Sequence, residues 1–532
     1  MKKAILTLLI LTLSTVVFAC DKTSLTTMFI SSTTNTTTNT TNTTNTTSIT
    51  STTEVSTNLT TTGGNVMGIY GTYNRAYPSY YEKGKALIED AHVVYINWDG
   101  FARYYYDELL RQTLEENAPT LYKLVEEGVF FNNLRNTMPS ITNPVQNQIL
   151  SGGTSAITHN VYRYYNKSTN TVIQQLRDND ADTIVNVAVE NGLSVVGVNH
   201  FLAEQYLTRN DPTALYVTAD PTNPEVVLRG EEKSSDHFSR SEQLEKILKG
   251  EPVNTYGNFV TVTELPNLML LYADDLDALG HNFTDNYGYE RQLSEEGRMN
   301  NIITALKEMD AKLSEIIAVA KAAGVYDDLT FFLTTDHGMT PYGASSLSDT
   351  GDYVMSKFGE LKTFIEKYNS NFKVEFVGPN KSPANSTNVV AVGANLNLQL
   401  TFKEGISDEE IADLKTALLQ QYYVGKVMTR LELEESGYWM EGADMVVSPS
   451  ERYCFSASYL GQYIAKGQHD SLADTSNQIV GWIWGKGIKE NYVYEDIAYN
   501  YDFGITMAAA LGLELPEANG IVLDVFDIEE DE

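Results

Sequence analysis

The residues Phe331-Phe332-Leu333-Thr334-Thr335 run straight into Asp336-His337-Gly338. The apolar and β-branched run reads as a strand buried in a parallel sheet. A carboxylate and an imidazole at its carboxyl end lie where open α/β sheets bind ligands. Oxygen and nitrogen donors side by side suit a divalent cation. Alone, Asp-His-Gly is more often a turn with a capping Asp; its weight comes from other segments that finish the same way. Asp99-Gly100 closes the run His92–Trp98, and Thr142 precedes Asn143-Pro144. Asp277 and His281 follow Leu268–Tyr272, and His469 stands in Gly467-Gln468-His469-Asp470. Two metal sites can be built from these three acids, three imidazoles and one hydroxyl. Asp277 and His281, four apart, face one cation together if the turn between them is helical. Asp336 and His337 project to opposite sides of an extended strand end, so they address different partners, or one ion from a bent chain. Thr142-Asn143-Pro144 reads as a helix entrance, with the hydroxyl at the cap and proline just inside. Its free amides and positive dipole end suit a phosphate, which makes Asn143 a candidate substrate contact.

The elements that must position these residues follow from apolar periodicity. Strands are expected at His92–Trp98, from Val129, at Ser194–Asn199, at Leu268–Tyr272, at the run before Asp336, and at Ile479–Trp484. Helices are expected over residues 104–127 (split at Pro119), 185–192, 300–323 and 502–511. Strands alternating with helices over this length imply an α/β fold: a doubly wound, mostly parallel central sheet with helices on both faces. Between His337 and His469, strand patterns at 389–401 and 424–428 and a helix at 408–419 imply a small inserted α/β cap, about residues 342–466. The catalytic domain is expected to span residues 67–532. His92, His159 and His200 are read as structural, and His237 as part of a solvated loop in the polar run Glu231 to Arg240.

The chain has 532 residues and a formal charge of −33, from 37 basic and 70 acidic side chains. Such a surface repels nucleic acid and anionic headgroups, so no nucleic-acid binding is expected. A small phosphorylated substrate remains compatible, because bound cations reverse the local field. Lys2-Lys3 and the apolar run to Phe18 read as a signal peptide, residues 1–19. Val17-Phe18-Ala19-Cys20 resembles the bacterial lipobox, which makes Cys20 the expected lipidation site. The Thr/Asn/Ser-rich stretch that follows, residues 20–66, has too little apolar surface to fold and reads as a stalk. The expected location is extracytoplasmic, lipid-anchored to the bacterial cell membrane.

In order and spacing, Asp-Gly, Thr-x-Pro, Asp-x-x-Gly-His, Asp-His-Gly and a late Gly-x-His resemble the alkaline phosphatase superfamily. The pattern is most similar to its nucleotide pyrophosphatase/phosphodiesterase branch and to phosphonoacetate hydrolases. The resemblance implies two zinc ions: one held by Asp277, His281 and His469, the other by Asp99, Thr142, Asp336 and His337. It also implies an Asn that binds a phosphoryl oxygen, for which Asn166 and Tyr164 are the rival candidates. Where the branch has Thr-Phe-Pro-Asn-His, this chain has Thr142-Asn143-Pro144-Val145-Gln146, and Thr-Asn-Pro is closer to the phosphonoacetate hydrolases.

A threonine hydroxyl stays protonated near neutral pH, and a metal bonded to its oxygen makes it a nucleophile. The expected activity is therefore metal-dependent hydrolysis of phosphodiester or pyrophosphate bonds through a phospho-threonine at Thr142. A phosphonate hydrolase or phosphomonoesterase of the same superfamily is the alternative. A surface-displayed binding lipoprotein is the non-enzymatic one.

Overall fold

The computed structural model describes residues 66–68, 71–73, 75–219, 227–229, 232–234, 236–255, 258–282, 289–342, 356–393, 396–455 and 466–528. The expected signal peptide, Cys20, nearly all of the stalk and the last residues of the acidic tail lie outside the described residues.

Eight strands form the central sheet in the order Tyr492–Tyr494, Gly128–Phe131, Trp482–Gly485, Leu329–Thr334, His92–Trp98, Leu268–Ala273, Val195–Val198 and Ala214–Val217. All run parallel except Trp482–Gly485, which is antiparallel to both neighbours. Alternate side chains go to opposite faces, as the two-residue period of a strand requires. Val94, Ile96 and Trp98 join one apolar core with the helices Arg103–Arg111, His237–Leu248 and Glu295–Ala323. Val93 and Tyr95 join the other, under Thr142–Ser151, Ile184–Glu190 and Tyr501–Leu511. Near-continuous apolar strands are what a sheet covered on both faces needs, because each fully buried large side chain is worth roughly 1.5–3 kcal/mol. Among the described residues no helix is long and apolar enough to cross a membrane.

Several expected elements take different bounds, and the solvated loop expected around His237 is corrected: His237 is buried and opens the helix His237–Leu248, which Asp236 caps by accepting the Ser239 amide. The 104–127 stretch is three helices, Arg103–Arg111, Leu114–Asn117 and Pro119–Leu124, because Thr113 adopts φ +74° before proline opens the last. The long helix begins earlier than expected, at Glu295, where the Ser294 side chain accepts the Gly297 amide. The run Ile479–Trp484 divides between two sheets. Gln478–Ile479 pairs with Leu134–Arg135, while Trp482–Gly485 enters the central sheet. Gly481 makes the crossing, packed so closely that a Cβ there would lie 2.6 Å from Leu134 Cδ2 and 2.8 Å from Phe503 Cζ and force them to shift.

A second sheet lies between the strands Thr340–Tyr342 and Lys466–Gln468, in the order Val374–Phe376, Val389–Gly393, Leu398–Phe402, Met445–Pro449 and Val424–Thr429. The expected strand at 389–401 is thus two strands of a hairpin. Phe358–Tyr368 and Asp408–Leu418 cover this sheet and share its apolar core. Thr340–Tyr342 and Lys466–Gln468 pair antiparallel, so the chain leaves the central fold and returns at one place.

Candidate active site

Three neighbouring strands end level with one another. Thr334 pairs with Asn97, and Ala273 with Trp98, so the residues that follow leave the sheet together. Asp99, Asp336 and the short helix Asp275–Gly280 therefore meet above one edge. Gly100 makes the approach possible. Its φ is +78°, and a Cβ there would lie 2.8 Å from the Asp277 Cα.

The seven residues named from the strand and helix ends gather into two adjoining groups. The ligating atoms of Asp99, Asp336 and His337 lie within 4.8 Å of one another, as do those of Asp277, His281 and His469. The groups touch where the His337 and His469 rings stack, with centroids 3.9 Å apart. His281 and His469 both face Asp277 Oδ1, at 3.2 and 3.6 Å from their Nε2 atoms. The strand ends at Thr334 and the chain then bends, so Asp336 and His337 serve one group rather than opposite sides.

Thr142 is the first residue of the helix Thr142–Ser151, and Ile141 occupies the cap position. The expectation of a hydroxyl at the cap is corrected here. Thr142 makes no side-chain cap, and its Oγ1 instead lies 3.1 Å from His337 Nε2.

Each histidine presents the same nitrogen. Nδ1 of His281 contacts the Gly467 carbonyl at 2.9 Å, that of His337 the Gly338 carbonyl at 2.9 Å, and that of His469 the Ser140 carbonyl at 3.0 Å. A carbonyl can only accept, so each Nδ1 carries the hydrogen and each Nε2 turns its lone pair to the cluster. The carboxylates are arranged alike. Asp99 Oδ2 accepts from the Tyr272 hydroxyl while its Oδ1 has no donor. Asp336 Oδ1 accepts from the His337 and Gly100 amides while its Oδ2 has none, and Asp277 Oδ1 also lacks one.

Burial first, then the neighbouring Asp336 and Asp277, push the Asp99 carboxyl well above its ordinary range. Burial, reinforced by His337, holds His469 well below, so this imidazole is neutral. Bare carboxylate oxygens facing imidazole lone pairs are acceptors facing acceptors. Divalent cations fit such a donor set and would satisfy it.

Sequence reasoning missed the supporting contacts. Tyr272 is the polar-tipped residue of an otherwise apolar strand, and that was its one legible signal. Asn500 donates to the Thr335 and Asp336 carbonyls at 3.1 and 2.8 Å, and Thr335 Oγ1 accepts the Phe101 amide at 3.0 Å. The substrate-contact candidates are placed differently from the seven. Asn166 lies in the strand Arg163–Asn166, and its side-chain Oδ1 accepts from Ser168 and Thr169 in the hairpin turn. Tyr164 packs edge-on against Trp439 at 4.8 Å. Asn143 follows Thr142 in the first helical turn.

The model of the type I phosphodiesterase / nucleotide pyrophosphatase family matches residues 93–471, a span that begins in the strand just before Asp99 and closes just after His469. The chain belongs to this family. As a nucleotide pyrophosphatase/phosphodiesterase family member it lies within the alkaline phosphatase superfamily. Its fold is that of the murine ectonucleotide pyrophosphatase / phosphodiesterase 5, with a TM-score of 0.55 at 15% identity, covering 81% of this chain and 97% of that one. An inactive murine form in complex with AMP gives 0.55 at 16% identity, again covering 81% and 97%. The human protein of the same name gives 0.52 at 14% identity with the same coverage. No curated protein matches the chain.

Proposed function

We propose that this family member is a two-metal hydrolase that cleaves a phosphodiester or pyrophosphate bond in a small nucleotide-like substrate, with Thr142 as nucleophile. One observation carries the reading: Thr142 Oγ1 sits 3.1 Å from His337 Nε2, and Asp99 Oδ1, which has no hydrogen-bond donor, lies 3.4 Å from the same nitrogen. Asp277, His281 and His469 would hold one cation, and Asp99, Asp336 and His337 with Thr142 Oγ1 the other. Nitrogen and carboxylate donors without thiolate favour zinc. Two such ions, when bound, favour the deprotonated hydroxyl and neutralise charge on phosphoryl oxygens.

The protein's own residues supply the rest. The Thr142 oxygen attacks phosphorus in line, the bond to the leaving oxygen breaks, and water later cleaves the phospho-threonine. Amides in the first turn of the Thr142–Ser151 helix have no intrahelical acceptor and can donate to a phosphoryl oxygen. The Tyr272 hydroxyl and the Gly467, Gly338 and Ser140 carbonyls hold the acid and imidazoles in their tautomers and orientations. The murine relative solved with AMP supports a nucleotide-like substrate. The lipobox-like ending at Cys20 supports a membrane-anchored, extracytoplasmic protein, and palmitate labelling abolished by Cys20→Ala tests it.

Purified protein with zinc is assayed on p-nitrophenyl thymidine monophosphate, bis-p-nitrophenyl phosphate, p-nitrophenyl phosphate and phosphonoacetate. The diesters should be cleaved fastest. Thr142→Ala should lose at least about a thousandfold in turnover while its metal content, by elemental analysis, stays at the wild-type level. Turnover that persists in Thr142→Ala removes the nucleophile assignment.

A further inference from the structure

We propose that Asn397, beside the turn of the inserted sheet's hairpin, is a positioning residue for His469 and acts through Asp470. The inference rests on the reading of His469 as a metal ligand. Asp470 has φ +63°, a conformation that costs free energy for any residue with a Cβ and is least unfavourable for Asn and Asp. Its carboxylate is buried and accepts from Asn397 Nδ2 at 3.1 Å. Asn397 is itself 2% exposed, and Nδ2 also lies 3.8 Å from Met138 Sδ, four residues before Thr142.

The consequence passes through a single carbonyl. The Asp470 amide donates to Ser140 O at 2.8 Å, and His469 Nδ1 donates to the same atom at 3.0 Å. The left-handed turn at Asp470 therefore sets both the tilt of the His469 ring and its hold on the chain just ahead of Thr142. That tilt brings His469 Nε2 to 3.6 Å from Asp277 Oδ1 and stacks the ring on His337. A second strand of the inserted sheet grips the next residues. Ser448 Oγ meets Ser471 Oγ at 3.2 Å and accepts the Leu472 amide at 3.1 Å. The inserted sheet thus holds the His469 segment from outside the central fold, and Asn397 holds the residue bonded directly to His469.

Asp470→Gly relieves the backbone and cuts the tie, so it separates positioning from plain stability. Zinc affinity is read by competition with a chelator, alongside kcat, KM and melting temperature, for wild type, Asp470→Gly, Asn397→Ala, the double variant and Asp470→Asn. Asp470→Gly and Asn397→Ala should each weaken one of the two zinc equivalents by about 10–100-fold. Each should lower kcat by about tenfold with KM little changed. The double variant should be no worse than either single one, because both remove the same contact. Asp470→Asn keeps an acceptor oxygen and tolerates the backbone, so it should restore affinity. If Asp470→Gly fails to fold, Asn397→Ala carries the test from the other side of the contact. Zinc affinity and kcat at wild-type levels in Asp470→Gly or Asn397→Ala, with the wild type active, overturn this inference alone. A wild type that binds no zinc and cleaves none of the esters overturns the reading of the site, and this inference with it.

Discussion

Removing metal from the site should leave a protein that is stabilised when one of its own acids is neutralised. Asp99 and Asp336 are 1% and 0% exposed, and their ligating oxygens lie within 4.8 Å of each other. Two unit charges at that distance repel by about 3.5 kcal/mol at an effective dielectric of about 20. Without a cation, Asp99 takes up a proton to escape this, which is why burial and Asp336 raise its pKa above 3.8. A carboxyl whose folded-state pKa is raised contributes stability below its unfolded value and loses it as pH rises through the folded value. Metal-stripped wild type should therefore melt progressively lower above about pH 4. Asp99→Asn has no such carboxyl, so its advantage over stripped wild type should grow with pH. By pH 8 it should approach about 3 kcal/mol, or several degrees at about 2 °C per kcal/mol. Comparing the two proteins at each pH cancels the contribution of the acidic remainder of the chain. Adding zinc should reverse the order, since tight binding to the native state stabilises wild type more. The assay is thermal melting of chelator-dialysed protein at pH 5 and pH 8. Stripped Asp99→Asn melting at or below stripped wild type at pH 8 would show no charge frustration, and the case for a cation site would fall.

Three further substitutions test the supporting contacts. Tyr272→Phe removes the hydroxyl that donates to Asp99 Oδ2 and should weaken metal binding by about 10–100-fold with little change in fold, measured by chelator competition. Gly100→Ala forces a Cβ to within 2.8 Å of the Asp277 Cα at φ +78°; it should lower stability by about 1–3 kcal/mol or more and reduce metal content. Asn500→Ala strips the donor from the Thr335 and Asp336 carbonyls and should destabilise by about 1–3 kcal/mol, read from denaturant midpoints.

The central fold was legible because each strand that matters is an unbroken apolar run, and a sheet covered on both faces demands that composition. Boundaries were harder to read where backbone geometry overrode propensity, as at Thr113 and Gly481. The former is held left-handed between two helices, and the latter passes the chain from one sheet to another. The contacts of Asn500 and Ser140 left no trace in the sequence, because a hydrogen bond to a distant carbonyl imposes no local pattern.

What the sequence by itself determined was the set of donors and their local setting: which acids and imidazoles follow strands, that a helix begins beside Thr142, and that Asp277 and His281 stand four residues apart. Local patterns carry that information because strand and helix periodicities are short-range. Only the tertiary structure decided which donors meet. Three strands had to end in register, and the inserted sheet had to return His469 beside the point where the chain departed. Only there, too, were the bare oxygens and the shared Nδ1 tautomer settled, because a side chain's protonation and orientation answer to partners hundreds of residues away.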